Sequence, residues 1–254
     1  MKDLIVFKVG NNRYALNIEN IQRIIQATEL IDIPNSHPFI DGMLSYEDDV
    51  IKVMNFRTLI GIQRYKEELE TLFTSLKAGH QSWIDGLRQS VDSGATFTGA
   101  LDPHKCKLGI WLDNFNSYDD KVTAILKDLI QNHKDLHLYG SDVLKLKEVD
   151  KKEASTMVAK EFYDSSNHTM SDIDLFMSEL DKVSDSLQKF IIYEDDTDIF
   201  AIKVDVIEDI AHIEDKDIIS ANKKNSNNEF LTLNGILDLK GVLINIIETV
   251  KLPN

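Results

Sequence analysis

The chain has 254 residues, 43% hydrophobic and 28% charged, a globular composition long enough for one or two domains with a real core. Its 43 acidic against 28 basic residues give a formal net charge of -15, which argues against nucleic acid or an anionic membrane surface as partner. The single cysteine excludes an intramolecular disulfide and points to a reducing compartment. No apolar run approaches the ~20 residues of a membrane span, and the run at 4–7 is too short for a signal peptide, so a cytoplasmic location is expected.

Residues 1–63 read as β. Apolar runs at 4–9 and 14–18 flank the turn Gly10-Asn11-Asn12 and predict two paired strands. Pro34, Pro38 and Gly42 punctuate the next stretch, 50–54 predicts another strand, and 55–60 predicts one helical turn ended by Gly61.

From Arg64 the period becomes helical. Leu69, Phe73, Leu76, His80, Trp83 and Leu87 are spaced 4-3-4-3-4, one apolar seam of a single helix. Gly94 and Gly99 end it. Asp102-Pro103 predicts a capped helix start, and the short helix that follows carries Cys106 in its first turn and Leu108, Trp111, Leu112 and Phe115 on its apolar side. A third helix from about Asp119 has Val122, Leu126, Leu129, His133, Leu136 and Gly140 on its seam. Further helix follows to about Leu187, with the polar stretch 164–168 as an expected kink or interruption. Four amphipathic helices with short connections predict a four-helix bundle.

From Lys189 the β pattern returns, with strands expected at 190–193, 199–204 and 207–213, a polar loop at 222–228, and a hairpin of 231–239 with 242–246 about Lys240-Gly241. The order β, α, β predicts three segments: β at 1–63, an inserted helical bundle at 64–188, and β at 189–254. Domain insertion of this kind succeeds at an exposed loop whose ends lie close together. The acidic clusters at 194–198 and 208–217 read as solvated loops and strand faces, with an acidic surface for a basic partner as the alternative.

The chemistry concentrates in the bundle. His80 occupies a seam position where Leu is expected, His133 and His137 project from one helix face a turn apart, and Cys106 lies where free N–H groups favour a thiolate. Three imidazoles and one thiolate are a donor set for tetrahedral structural zinc. Ordinary roles remain open beside it: a hydrogen-bonded core histidine, a surface histidine pair and a small buried thiol. His104 is a competing donor near Cys106, read as a loop residue. A di-iron carboxylate bundle is excluded, since Ile130 and Lys134 stand where Glu-x-x-His motifs need Glu. No phosphate-cradling glycine loop and no nucleophile elbow is found, so no catalytic residue and no enzymatic activity is expected.

His80-Gln-Ser-Trp83, Cys106-Lys-Leu-Gly-Ile-Trp111-Leu and His133-Lys-Asp-Leu-His137 together resemble the chemoreceptor zinc-binding (CZB) domain, over about 76–187. The resemblance implies zinc held by His80, Cys106, His133 and His137, with Trp83 and Trp111 packed beside the site, and a role in sensing zinc or oxidants such as hypochlorous acid.

The flanking segments resemble CheW, the coupling protein between chemoreceptors and the histidine kinase CheA. The residues that carry this are Phe7-Lys-Val-Gly10, Tyr14-Ala-Leu-Asn-Ile18, Ile33-Pro34, Phe39-Ile-Asp-Gly42, Asn55-Phe-Arg57-Thr-Leu-Ile-Gly61, Val204-Asp205 and 231–252. That resemblance implies an α+β multidomain fold, a pair of small five-stranded β-barrels interrupted by the zinc-binding bundle. It implies CheA and the receptor's cytoplasmic tip as partners, and a place in receptor arrays. Two positions depart from the family: Glu47, within Ser45-Tyr46-Glu47-Asp48, stands where Asn-Leu-Arg-Gly is usual, and Arg23 stands where Glu is frequent. Both reverse charge, so complementarity with swapped polarity is expected at a partner interface.

The function expected is therefore a non-enzymatic chemotaxis adaptor with a zinc–thiolate sensor and a possible homodimer contact through the bundle. A constitutive scaffold in which zinc only staples the insert is the alternative. A metallohydrolase would require an open metal position.

Overall fold

The computed structural model describes residues 2–195, 197–220 and 229–253; the loop expected at 222–228 lies outside them. The chain divides into two compact units, Met1–Tyr65 with Ser184–Asn254, and Lys66–Val183.

The first unit holds β1 (Lys2–Val9), β2 (Asn12–Asn17), β3 (Ile21–Gln26), β4 (Ile40–Tyr46), β5 (Asp49–Asn55), the single turn α1 (Phe56–Leu59), β6 (Lys189–Glu194), β7 (Ile199–Val204), β8 (Val206–Ile213), β9 (Ile218–Ser220), β10 (Leu231–Leu239) and β11 (Val242–Val250). They form two sheets, ordered β8-β1-β2-β11-β10-β9 and β3-β6-β7-β5-β4. The architecture is mixed α+β, two sheets with an intervening helical region. The strand pairing crosses the boundary drawn between 1–63 and 189–254, because each sheet takes strands from both segments. Four pairs make the crossing: β1 with β8 and β3 with β6 antiparallel, and β2 with β11 and β5 with β7 parallel. Parallel neighbours need a long crossover connection, and the inserted helices lie in the one between β5 and β7.

β1 reads as a continuous apolar run because both its faces are covered. Leu4 and Val6 pack with Ala15, Ile244 and Ile246, while Phe7 and Val9 pack on the other face with Tyr14, Phe56 and Ile202. Arg57, 2% exposed, donates from Nε and Nη2 to the two carboxylate oxygens of Asp205 at 2.8 Å each. Asp205 also accepts from the Gly10 amide (2.8 Å) and Gln188 Nε2 (3.1 Å), so one carboxylate ties the first hairpin, α1 and β6 to the end of β7. Gly10 has φ +58°, a conformation that glycine adopts freely.

The second unit is built on α2 (Tyr65–Ser93), α3 (Lys107–Asp113), α4 (Asp120–Val149), α5 (Lys151–Met157), α6 (Tyr163–Met177) and α7 (Leu180–Leu187). Most of the expected seams are buried: Leu69, Phe73, Leu76, His80 and Leu87 on α2, where Trp83 is only partly buried and Ile84 is buried beside it, and Val122, Leu126, Leu129, His133, Leu136 and Gly140 on α4. Two details differ from expectation. The stretch 164–168 is regular helix, and the irregularity lies one turn earlier, where 158–162 form a π turn that buries Phe162. Asp102 caps only a 3-10 turn, Pro103–Lys105. The chain then turns extended at Cys106, which is itself the N-cap of α3 and not a residue of its first turn. Among the described residues, no helix is long and apolar enough to cross a membrane.

Candidate metal centre

α2 brings His80, the cap of α3 brings Cys106, and one face of α4 brings His133 and His137, with one potential ligand atom from each lying within 4.8 Å of all the others. His133 Nε2 is 3.2 Å from His80 Nε2 and 3.1 Å from Cys106 Sγ, and Cys106 Sγ is 3.7 Å from His80 Nε2. Zinc bonds of about 2.0–2.1 Å to nitrogen and 2.3 Å to sulfur, in a tetrahedron, set ligand atoms about 3.3–3.6 Å apart. The three closest spacings lie within a few tenths of an ångström of that range, and His137 completes the group within 4.8 Å, so the donor set suits zinc.

The protonation pattern fits it too. His80 Nδ1 lies 3.0 Å from the Leu76 carbonyl and donates to it, so the neutral ring keeps a bare lone pair on Nε2. His137 is fully buried, and neither of its ring nitrogens has a hydrogen-bond partner. A buried polar atom left so costs free energy, and a cation at the centre of the cluster satisfies it. Burial, reinforced by the neighbouring histidines, pulls His133 down to about 3 and His137 down to about 4. Burial also lowers His80, against the opposing Leu76 carbonyl. All three rings are thus neutral donors near pH 7. Burial pushes the Cys106 thiol up, while the Gly109 and Leu108 amides pull the other way. A bound zinc ion deprotonates a coordinating thiol outright.

Two glycines shape the site. A Cβ on Gly109 would stand 1.8 Å from the Pro103 carbonyl oxygen and 3.2 Å from His133 Cε1, while its amide donates to Cys106 Sγ at 3.2 Å. A Cβ on Gly140 would stand 2.5 Å from the Trp83 ring. Trp83 lies 4.7 Å from His137, centroid to centroid, and donates from Nε1 to the Ala100 carbonyl at 2.8 Å. Trp111 has other ring neighbours, Phe73, Phe115 and Phe176. Gly109 stands in the Cys106–Leu112 motif and Gly140 on the α4 seam, but the approach each permits is visible only in three dimensions.

The remaining histidines stay outside the cluster. His104 pairs with Asp113, His212 with Asp3, and His37 packs on Phe39 and Phe230. In the first unit, Arg23 and Glu47 face one another at 3.9 Å, both exposed, with the Arg23 guanidinium over the Tyr46 ring.

Family models place this geometry. The model of the CheW-like domain matches residues 3–83, and that of the chemoreceptor zinc-binding domain matches residues 80–144. Over those residues the chain is similar to the CheW-like domain and to the chemoreceptor zinc-binding domain, respectively. Three of the clustered residues lie well inside the second match, and His80 is its first residue. The Chemotaxis protein CheW of Thermotoga maritima is 19% identical over 73 residues, 29% of this chain and 48% of that protein. The chain thus spans about half the length of that curated relative. Among solved structures, the scaffolding protein TtCheW of Thermoanaerobacter tengcongensis aligns with a TM-score of 0.46 at 12% identity, covering 98% of this chain and 90% of that one. The cofactor of the zinc-binding domain is zinc, and the His80, Cys106, His133 and His137 cluster suits it.

Proposed function

We propose that the chain is a non-enzymatic chemotaxis adaptor, cytoplasmic and attached to receptor arrays, whose CheW-like sheets dock to the chemoreceptor tip and to the histidine kinase CheA. His80, Cys106, His133 and His137 hold zinc in the inserted bundle, and the protein reports zinc loading or oxidation of Cys106. The observation that carries this reading is the cluster itself, three neutral imidazoles and one thiol with ligand atoms within 4.8 Å of one another, and no hydrogen-bond partner on the His137 ring nitrogens. Four protein ligands leave no open position for hydrolytic chemistry.

Cys106 is the soft, oxidisable donor. A two-electron oxidant such as hypochlorous acid converts its thiolate to the sulfenic acid and leaves as chloride, so one of four donors is lost. Both flanks of the insert feed the same five-stranded sheet, through β5 before it and β6 after it. A change in helix packing therefore has a covalent route into the docking unit from either side.

The test is zinc content of the wild type beside His133→Ala and Cys106→Ala, with thiol titration before and after hypochlorous acid, and CheA activity in a receptor mixture with and without chelator. One zinc per chain, lost on mutation and on oxidation, together with a chelator-dependent kinase response, supports the sensor. Zinc lost on mutation with unchanged kinase coupling supports the alternative, a constitutive scaffold in which zinc only stabilises the bundle. No zinc in the wild type overturns both.

A further inference from the structure

We propose that His104, steered by Asp113, is an exchangeable fifth ligand for the same divalent cation, taking the coordination position of Cys106 when the thiolate is absent. The inference rests on the metal-site reading above and extends it to a residue outside the four-membered cluster.

A shallow, solvent-open recess of about 10 Å³, room for one water, is lined by His104, Gly109, Asp113, His133 and Lys134, among others. Gly109 and His133 are also the two residues that touch Cys106 Sγ most closely, at 3.2 and 3.1 Å. The recess therefore adjoins the cluster at His133, beside the Gly109 amide that holds the thiol. His80, His133 and His137 are at most 6% exposed, whereas Cys106 is only partly buried.

His104 stands at the rim with its side chain 54% exposed. Its Nδ1 is held by both Asp113 carboxylate oxygens, at 2.8 and 3.1 Å, and its Nε2 has no partner among the described residues. A carboxylate on one imidazole nitrogen fixes the tautomer and makes the other nitrogen the better metal donor. His104 thus has the electronic arrangement of a metal-binding imidazole while standing outside the 4.8 Å cluster. It is also two residues from Cys106, on the 3-10 turn that leads into that residue. His104 and His133 line the same recess, so a shift of the Pro103–Lys105 turn is the movement that would carry Nε2 toward the cluster.

The test is zinc added to the metal-free full chain, read by chelator competition and by 15N shifts of the imidazole nitrogens. In the wild type, His80, His133 and His137 shift on zinc addition and His104 does not, and His104→Ala leaves affinity unchanged. In Cys106→Ala, and in Cys106→Ser as an independent replacement, His104 Nε2 shifts as well. Adding His104→Ala to either one weakens zinc binding on the order of tenfold or more, and adding Asp113→Asn weakens it in the same direction. Equal affinity with and without His104 in both thiol-free backgrounds, or a His104 resonance unmoved by zinc, overturns the proposal. Absence of ring shifts in the wild type would instead overturn the metal-site reading on which it rests.

Discussion

Gly109 packs so tightly under Pro103 that a Cβ would lie 1.8 Å from the Pro103 carbonyl oxygen. The same backbone donates to Cys106 Sγ, so the position controls where the thiol sits. Gly109→Ala should displace either the Pro103–Lys105 turn or the start of α3. The expected result is zinc affinity lower by on the order of 10–100-fold, the scale of losing a residue that orients a ligand. Chelator competition measures it, and an unchanged dissociation constant would show that the close approach does not set the thiol position.

His137 makes opposite contributions in the two metal states. Without metal its buried ring nitrogens lack partners, a cost of about 1–3 kcal/mol. His137→Leu should raise the stability of the metal-free protein while abolishing most of the stabilisation that zinc confers. Thermal unfolding with and without zinc gives both quantities. Destabilisation of the metal-free form would mean that the ring nitrogens are satisfied in solution.

The metal-free protein should also be acid-sensitive in a defined window. His133 and His137 lie at about 3 and about 4 in the folded chain, against 6.5 for an unperturbed ring, and His80 is lowered in the same direction. The unfolded chain then takes up protons first. Stability from these groups is fully present above about pH 6.5 and is lost as pH falls through the window toward 3–4. Urea unfolding at pH 7 and pH 5 reads it directly, and His137→Leu should flatten the difference. Equal stability at both pH values would contradict the depressed values.

In the sheet unit, Arg57 and Asp205 are a buried pair whose carboxylate also accepts from Gly10 and Gln188. Removing one partner leaves a buried charge uncompensated, so Asp205→Ala should cost about 3–5 kcal/mol. A conservative Arg57→Lys keeps the charge but loses the paired geometry, and should lie between the wild type and Asp205→Ala. Denaturant titration of each variant checks the order.

The seams on α2 and α4 were legible because one side of each helix is buried at a period near 3.6, and the three histidines fall on those buried positions. The cap position of Cys106 was not, because Asp102-Pro103 is a helix-start signal that here opens only a 3-10 turn before a second cap. β3 escaped because Ile21–Gln26 has no fully buried residue and no alternation. β4 does alternate, but Pro34, Pro38 and Gly42 punctuate the stretch and no strand was expected there. The two parallel pairings were illegible for a different reason: they join residues far apart in sequence, and no local pattern encodes a non-local neighbour.

Arg23 and Glu47 carry the last prediction. The two reversed charges stand 3.9 Å apart on the surface, at side-chain exposures of 59% and 64%. An exposed pair of this kind contributes about 0–1 kcal/mol to stability, so Arg23→Glu, Glu47→Arg and the double reversal should all unfold within that range of the wild type. Rim charges act on partner choice instead. Each single reversal places like charges side by side and should weaken docking to receptor or kinase, whereas the double reversal restores mutual attraction with the opposite polarity. If the partner reads the pair as a unit, the double variant recovers complex stability but prefers a partner whose own charges are reversed. Binding of all four proteins to receptor fragments and to CheA, at two salt concentrations, separates the outcomes. Identical affinities across the series would leave Arg23 and Glu47 as solvated charges with no part in docking.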